Sequence, residues 1–255
     1  MNPSVTIDSK NRAPGQTDIT EAIILAGGLG TRLQPAIPGL PKCLAPVGGI
    51  PFLEYVLTHF QNEGIEKFIF ATGYKSEMIE DYLQNRSQQV NYILSNESAP
   101  LGTGGAIRLA AGKVANTNAL IINGDTLFAV DVGQLVNIHL KYEADCTLTL
   151  KPMKNFDRYG VVEVGADHSI KSFKEKQFYN TGLINGGVYA LNVQHFLNEN
   201  LPEMFSFEKD YLEKKISLQL YGERKIFSVI QDKYFIDIGI PEDYERAQGE
   251  LIPPG

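Results

Sequence analysis

The chain has 255 residues, which at roughly 150 per domain predicts one or two domains. Its 23 Lys and Arg against 30 Asp and Glu give a net charge of −7, which argues against a partner such as nucleic acid or an anionic membrane. Two cysteines and four scattered histidines offer neither a disulfide framework nor zinc-ligand spacing. No apolar run approaches the roughly 18 residues of a membrane span, and the first 20 residues lack the apolar stretch of a secretory signal. A cytoplasmic, reducing compartment is therefore expected.

Residues 1–20 are rich in Asn, Ser, Thr, Pro and Gly and read as a flexible N-terminal extension. Ala22 to Ala26 is a short continuous apolar run, the mark of a strand buried on both faces, and it breaks into glycines at Gly27, Gly28 and Gly30. Pro51 followed by Phe52, Leu53, Val56, Leu57 and Phe60 has helical spacing. Further strands are expected at Lys67 to Ala71, Val90 to Leu94 and Ala119 to Asn123, with helices at Ser76 to Gln84 and Thr103 to Val114. Strands alternating with helices imply a mainly parallel sheet covered on both faces.

The second half reads differently. Cys146 to Leu150, Tyr159 to Val164, Ser169 to Phe173, Val188 to Leu191 and Lys225 to Ile230 read as strands. Helices are fewer there, at Ser206 to Ile216 and Pro241 to Leu251. No Pro/Ser-rich linker divides the chain, so one domain over 21–255 is expected, with a nucleotide-binding half (21–130) and a half adding mixed strands and a substrate wall (131–255).

The segment Leu25-Ala26-Gly27-Gly28-Leu29-Gly30-Thr31-Arg32-Leu33 opens at the carboxyl end of the first strand, where open α/β sheets bind ligands. Glycines there let backbone N–H groups approach an anion, and Arg32 adds a fixed cation. A dinucleotide fingerprint needs glycine where Leu33 stands, and no Gly-Lys-Ser/Thr follows, so the two familiar phosphate loops are excluded. Taken alone, the loop reads equally well as a structural turn.

The continuation narrows the choice. Gly-Gly-x-Gly-Thr-Arg-Leu is followed by Pro41-Lys42, Pro46-Val47, Glu97 with Pro100-Leu101-Gly102-Thr103-Gly104-Gly105, and Asn123-Gly124-Asp125. Glu175-Lys176, Leu183-Ile184-Asn185-Gly186-Gly187 and Ile236-Asp237-Ile238-Gly239 complete the series. This ordered set resembles the sugar-1-phosphate nucleotidylyltransferases from about Glu21 to Gln248. Asp157-Arg158-Tyr159-Gly160, Phe205-Ser206-Phe207-Glu208 and Tyr234-Phe235-Ile236-Asp237 resemble the D-glycero-α-D-manno-heptose 1-phosphate guanylyltransferases within it. Cys43 and Gln177 depart from the pattern, standing where relatives often carry Pro.

The resemblance implies a Rossmann-like, three-layer α/β/α, GT-A-like nucleotidyltransferase fold. It implies transfer of a nucleoside monophosphate from an NTP to a sugar 1-phosphate, with Mg²⁺ as cofactor and pyrophosphate released. Arg32, Lys42, Asp125 and Asp237 would be catalytic, and the two aspartates would hold the metal. Leu25, Ala26, Gly27, Gly28, Gly30, Thr31, Glu97, Gly102, Thr103 and Gly124 would line the nucleotide site with Arg32 and Lys42. Gly160, Glu175, Lys176, Asn185 and Gly186 would meet the sugar phosphate.

The chemistry agrees with that assignment. The nucleophile is already an anion, so catalysis needs positioning and charge stabilisation rather than an activated Ser or Cys. Hard Mg²⁺ takes one or two carboxylates plus phosphate oxygens and waters. Glu97 can accept from guanine N1–H and N2–H₂, which favours GTP, although uridylyl-transferring relatives also carry a carboxylate near here. Mannose 1-phosphate is the alternative sugar. No Asp-x-Asp is present, against a glycosyltransferase; a degenerate regulatory subunit would be expected to lose Arg32, Lys42, Asp125 or Asp237, and all four are present. With the chain ending at Gly255, no β-helix acyltransferase domain is expected, and a homo-oligomer is compatible with these residues.

Overall fold

In the computed structural model, residues 19–28, 30, 32–219 and 225–251 are described. Of the segment expected to be an extension, residues 1–18 lie outside them; Ile19 is buried in the core and the Thr20 carbonyl accepts from Glu66 N–H at 2.8 Å. These two residues belong to the packed fold.

Strand β1 (Glu21–Leu25) leads through a 3₁₀ turn (Lys42–Leu44) and a small hairpin, β2 (Pro46–Val47) with β3 (Ile50–Pro51), into helix α1 (Phe52–Asn62). Strand β4 (Lys67–Thr72), helix α2 (Ser76–Asn85), strand β5 (Asn91–Asn96), helix α3 (Gly102–Ala111) and strand β6 (Asn118–Asn123) continue the alternation. Next come β7 (Thr126–Phe128), α4 (Val132–Lys141), β8 (Cys146–Phe156), β9 (Val162–Val164), β10 (Ile170–Phe173), β11 (Tyr179–Asn192) and α5 (Val193–Leu197). A π-helical segment (Phe207–Glu213) runs into α6 (Lys214–Gln219), followed by β12 (Ile226–Ile230), β13 (Phe235–Asp237) and α7 (Pro241–Glu250).

The central sheet has seven strands in the order β12-β8-β11-β6-β1-β4-β5. Only β11 runs against the rest, pairing antiparallel with both β6 and β8. Strands buried on both faces need apolar residues at every position, which is why β1 reads as a continuous run. Its Ala22 and Ile24 enter one core cluster and Ile23 the other. Apolar positions of α1, α2, α4 and α7 cover the first face, and those of α3, α5 and the π-helical segment the second. This is the expected α/β/α layering around a mainly parallel sheet.

Two differences from the sequence reading have physical causes. Strands β8 and β11 run well past Leu150 and before Val188, because Lys151 to Phe156 pairs with Tyr179 to Ile184 as a ribbon beyond the core. Residues there are largely half-buried or exposed, so the hydrophobic pattern is weak. Helix α4 was not expected, although its signal is present. Asp131 Oδ1 caps it by accepting from Gln134 N–H at 2.9 Å, and Val132, Leu135, Val136 and His139 bury one face at helical spacing.

Candidate active site

The chain leaves β1 in two directions across the sheet: β4 lies on one side and the later β6 on the other. Ligands bind in the crevice outside such a switch point, at the carboxyl ends of the strands. A pocket of about 730 Å³ occupies that place, bounded by the ends of β1, β4, β5 and β6 and by the start of α3.

Ten of the residues expected at the site line it: Leu25, Ala26, Gly27, Gly28, Lys42, Glu97, Gly102, Thr103, Gly124 and Asp125. Gly30 lies beneath, with φ +61°, and a Cβ there would stand 2.6 Å from Lys42 Cγ. Glycine is thus needed for both the left-handed backbone and the path of the lysine. Thr31 lies outside the described residues. Arg32 is exposed and is not part of the pocket lining.

Lys42 Nζ reaches Asp125 Oδ2 at 2.6 Å. Asp125 follows the end of β6, while Asp237 ends β13. The short ribbon between β7 and β13 joins them, placing Asp237 opposite Thr126 with Ile238 N–H donating to the Asp125 carbonyl at 3.0 Å. Asp237 Oδ1 accepts from Gly239 N–H at 2.7 Å, and Oδ2 accepts from the Tyr159 hydroxyl at 3.3 Å. Burial first, and the charge of Asp125 second, push the Asp237 carboxyl above the ordinary range. Burial and Asp125 also hold the Cys43 thiol neutral, its pKa pushed up to about 12.

Glu97 closes another wall. Its Oε2 accepts from Leu101 N–H at 3.1 Å, and its Oε1 faces Gly73, where a Cβ would stand only 2.7 Å away. Gly102, with φ +70°, opens α3 toward the pocket, bringing the positive end of the helix to the cavity.

The expected sugar-side residues are more scattered. Glu175 and Lys176 are exposed. Gly160 gives way to the Lys174 carbonyl, 2.4 Å from where a Cβ would stand, and Gly186 is buried against the Phe128 ring. None of Gly160, Glu175, Lys176, Asn185 and Gly186 lines the pocket. Sequence reasoning missed Gly73 and Tyr74, which line the pocket at the end of β4. Their signal was positional, since they follow a parallel strand as the glycine loop does. It also gave Tyr159 no role at the site; the Asp237 contact arises only in three dimensions.

A profile of the nucleotidyl transferase family matches residues 21–252. The chain belongs to the nucleotidyl transferase family. It is 49% identical to the D-glycero-α-D-manno-heptose 1-phosphate guanylyltransferase of Aneurinibacillus thermoaerophilus, over 91% of this chain and 98% of that protein. The protein of the same description from Campylobacter jejuni is 43% identical over 88% and 96% of the two chains. Among solved structures, HddC from Yersinia pseudotuberculosis complexed with GMP-PN superposes with a TM-score of 0.79 at 30% identity, covering 91% of this chain and 99% of HddC. As a nucleotidyl transferase, the chain is an enzyme whose α/β sheet carries its pocket at the switch point beside β1. Among the described residues, no helix is long and apolar enough to cross a membrane.

Proposed function

We propose that this nucleotidyl transferase moves GMP from GTP to D-glycero-α-D-manno-heptose 1-phosphate in the cytoplasm. The observation that carries the chemistry is the convergence of Lys42, Asp125 and Asp237 beside the pocket, 2.6 Å separating the first two. The base and sugar are supported by the high identity to guanylyltransferases of that sugar over nearly their whole length.

A phosphate oxygen of the sugar 1-phosphate attacks the α-phosphorus of GTP. The new P–O bond forms as the bond to the β-phosphate bridging oxygen breaks, and pyrophosphate leaves with that electron pair. Both reactants are anions, so the protein's task is alignment and charge compensation. Lys42 supplies a cation beside the α-phosphate, steered by the backbone at Gly30. Arg32 is assigned to the outer phosphates and Lys176 to the sugar phosphate.

Asp125 and Asp237 suit Mg²⁺. Two carboxylates from separate strands converge, and burial plus mutual repulsion disfavours ionisation of Asp237, a cost that a bound divalent cation relieves. When bound, the ion supplies positive charge to phosphate oxygens as the reaction proceeds. Glu97 Oε1 faces the Gly27 and Gly73 backbone, where it can accept from guanine N1–H and N2–H₂.

The test is a pyrophosphate-release screen of the four NTPs against the 1-phosphates of the heptose, mannose, glucose and N-acetylglucosamine. GTP with the heptose is expected to dominate. A preference for UTP or dTTP overturns the guanylyl assignment, a preference for mannose overturns the sugar, and no release with any pair overturns the activity.

A further inference from the structure

Asn185 was expected to meet the sugar, yet both of its amide hydrogens are engaged within the protein. Its Nδ2 donates to the Tyr189 hydroxyl and to Glu208 Oε1, each at 2.8 Å, which uses both amide hydrogens. Its Oδ1 accepts from Gly187 N–H at 3.2 Å. What Asn185 presents outward is therefore the carboxylate of Glu208. We propose that Glu208, oriented by Asn185, accepts hydrogen bonds from hydroxyls of the sugar 1-phosphate and sets sugar affinity; this rests on the function proposed above.

The placement supports it. Phe207, the residue before Glu208, donates its N–H to Thr103 Oγ1 at 3.0 Å, and Thr103 lines the nucleotide pocket. On the other side, Gly187 has φ +75° and its Cβ position falls 2.6 Å from Asn123 Nδ2, another pocket residue. Glu208 thus stands at the seam between the pocket wall and β11.

Its backbone is held firmly. Ser206 N–H donates to Asp210 Oδ2 at 2.7 Å, and Ser206 Oγ accepts from Lys209 N–H at 3.2 Å. The flanking Phe207 and Tyr211 are buried, and their rings stack at 5.3 Å between centroids. Segments of π-helix of this kind are frequent at functional sites. An exposed Glu in a first helical turn ordinarily serves only the helix dipole and stays free in water. Glu208 is instead tethered across to another strand, with lone pairs left to accept hydroxyl hydrogens. A carboxylate repels phosphate, so it suits the polyol end of the substrate.

The experiment is two-substrate steady-state kinetics of Glu208→Gln on the full chain. The KM for the sugar 1-phosphate is expected to rise about tenfold, the loss of one charge-assisted hydrogen bond, with the GTP KM and the Tm unmoved. Asn185→Asp, which removes both donors, is expected to give the same sugar-selective rise. An unchanged sugar KM in Glu208→Gln overturns the proposal, as does a rise confined to GTP, which would place the carboxylate on the ribose. If Asn185→Asp leaves the sugar KM unchanged, the positioning role falls. Active wild-type enzyme with an unmoved variant sinks this inference alone, whereas an inactive wild type sinks the proposed function and this inference with it.

Discussion

The main-chain N–H of Ile238 donates to the carbonyl of Asp125 at 3.0 Å. That bond, with the β7–β13 pairing around it, docks the end of one strand on the turn after another, so that two carboxylates distant in sequence share one site. The Asp125 side chain is 29% exposed and holds Lys42. Asp125→Asn keeps its volume and removes its charge. On the proposed Mg²⁺ role of this aspartate, we expect kcat to fall on the order of 10³-fold, since such charge stabilisation contributes several kcal/mol at 1.36 kcal/mol per tenfold. Pyrophosphate release at saturating Mg²⁺ measures it, and full activity there would remove Asp125 from the chemistry. The Tm should stay close to that of the parent.

Asp237 carries the opposite balance of stability and function. Burial, then Asp125, raises its folded pKa above the unfolded value. Such a group favours folding below the unfolded pKa of about 3.9, and that contribution is lost as pH rises through the folded pKa. Asp237→Asn is therefore expected to be more stable than the parent at pH 7, with the gain vanishing near pH 3, while turnover is lost. Urea midpoints at the two pH values test this; a lower midpoint at pH 7 contradicts it.

Gly104 leaves no room for a side chain. A Cβ there would lie 2.1 Å from the Phe205 ring, while its own N–H donates to the Phe205 carbonyl at 2.9 Å. Gly104→Ala must push the 203–205 segment away from α3, costing about 1–3 kcal/mol as overpacking. Because Gly102 and Thr103 at the start of the same helix line the pocket, the KM for GTP should rise as well. Urea denaturation and GTP kinetics check both halves.

His139 is a second titrating element, distant from the pocket chemistry. It is buried on α4, with Nδ1 3.0 Å from Thr147 Oγ1 and Nε2 3.1 Å from Asn118 Oδ1. Burial lowers its pKa to about 4. A depressed folded pKa contributes stability above the unfolded value of about 6.5, and this is lost as pH falls toward 4, on the order of 3 kcal/mol. His139→Gln keeps a polar partner and removes the titration, so its stability should fall less steeply between pH 6.5 and 4. Parallel curves for parent and variant would exclude His139 as the source.

The sequence determined the sheet and, through the family motifs, most of the pocket wall. Continuous apolar runs such as Ala22 to Ala26 are strands buried on both faces, a property local to the run, whereas the glycine loop read as a ligand edge only together with the motifs that follow it, from Pro41-Lys42 to Asp237. Helix α4 was legible too, through Asp131 and the spacing Val132, Leu135, Val136 and His139, and was overlooked. Only the tertiary structure decided the rest. The contact of Tyr159 with Asp237 and the tether of Asn185 to Glu208 join residues whose separation along the chain carries no periodic signal. The family resemblance of Leu183-Ile184-Asn185-Gly186-Gly187 implied Asn185 as a sugar ligand. Whether an amide serves a substrate or the protein depends on which partners already hold its hydrogens, and folding sets that.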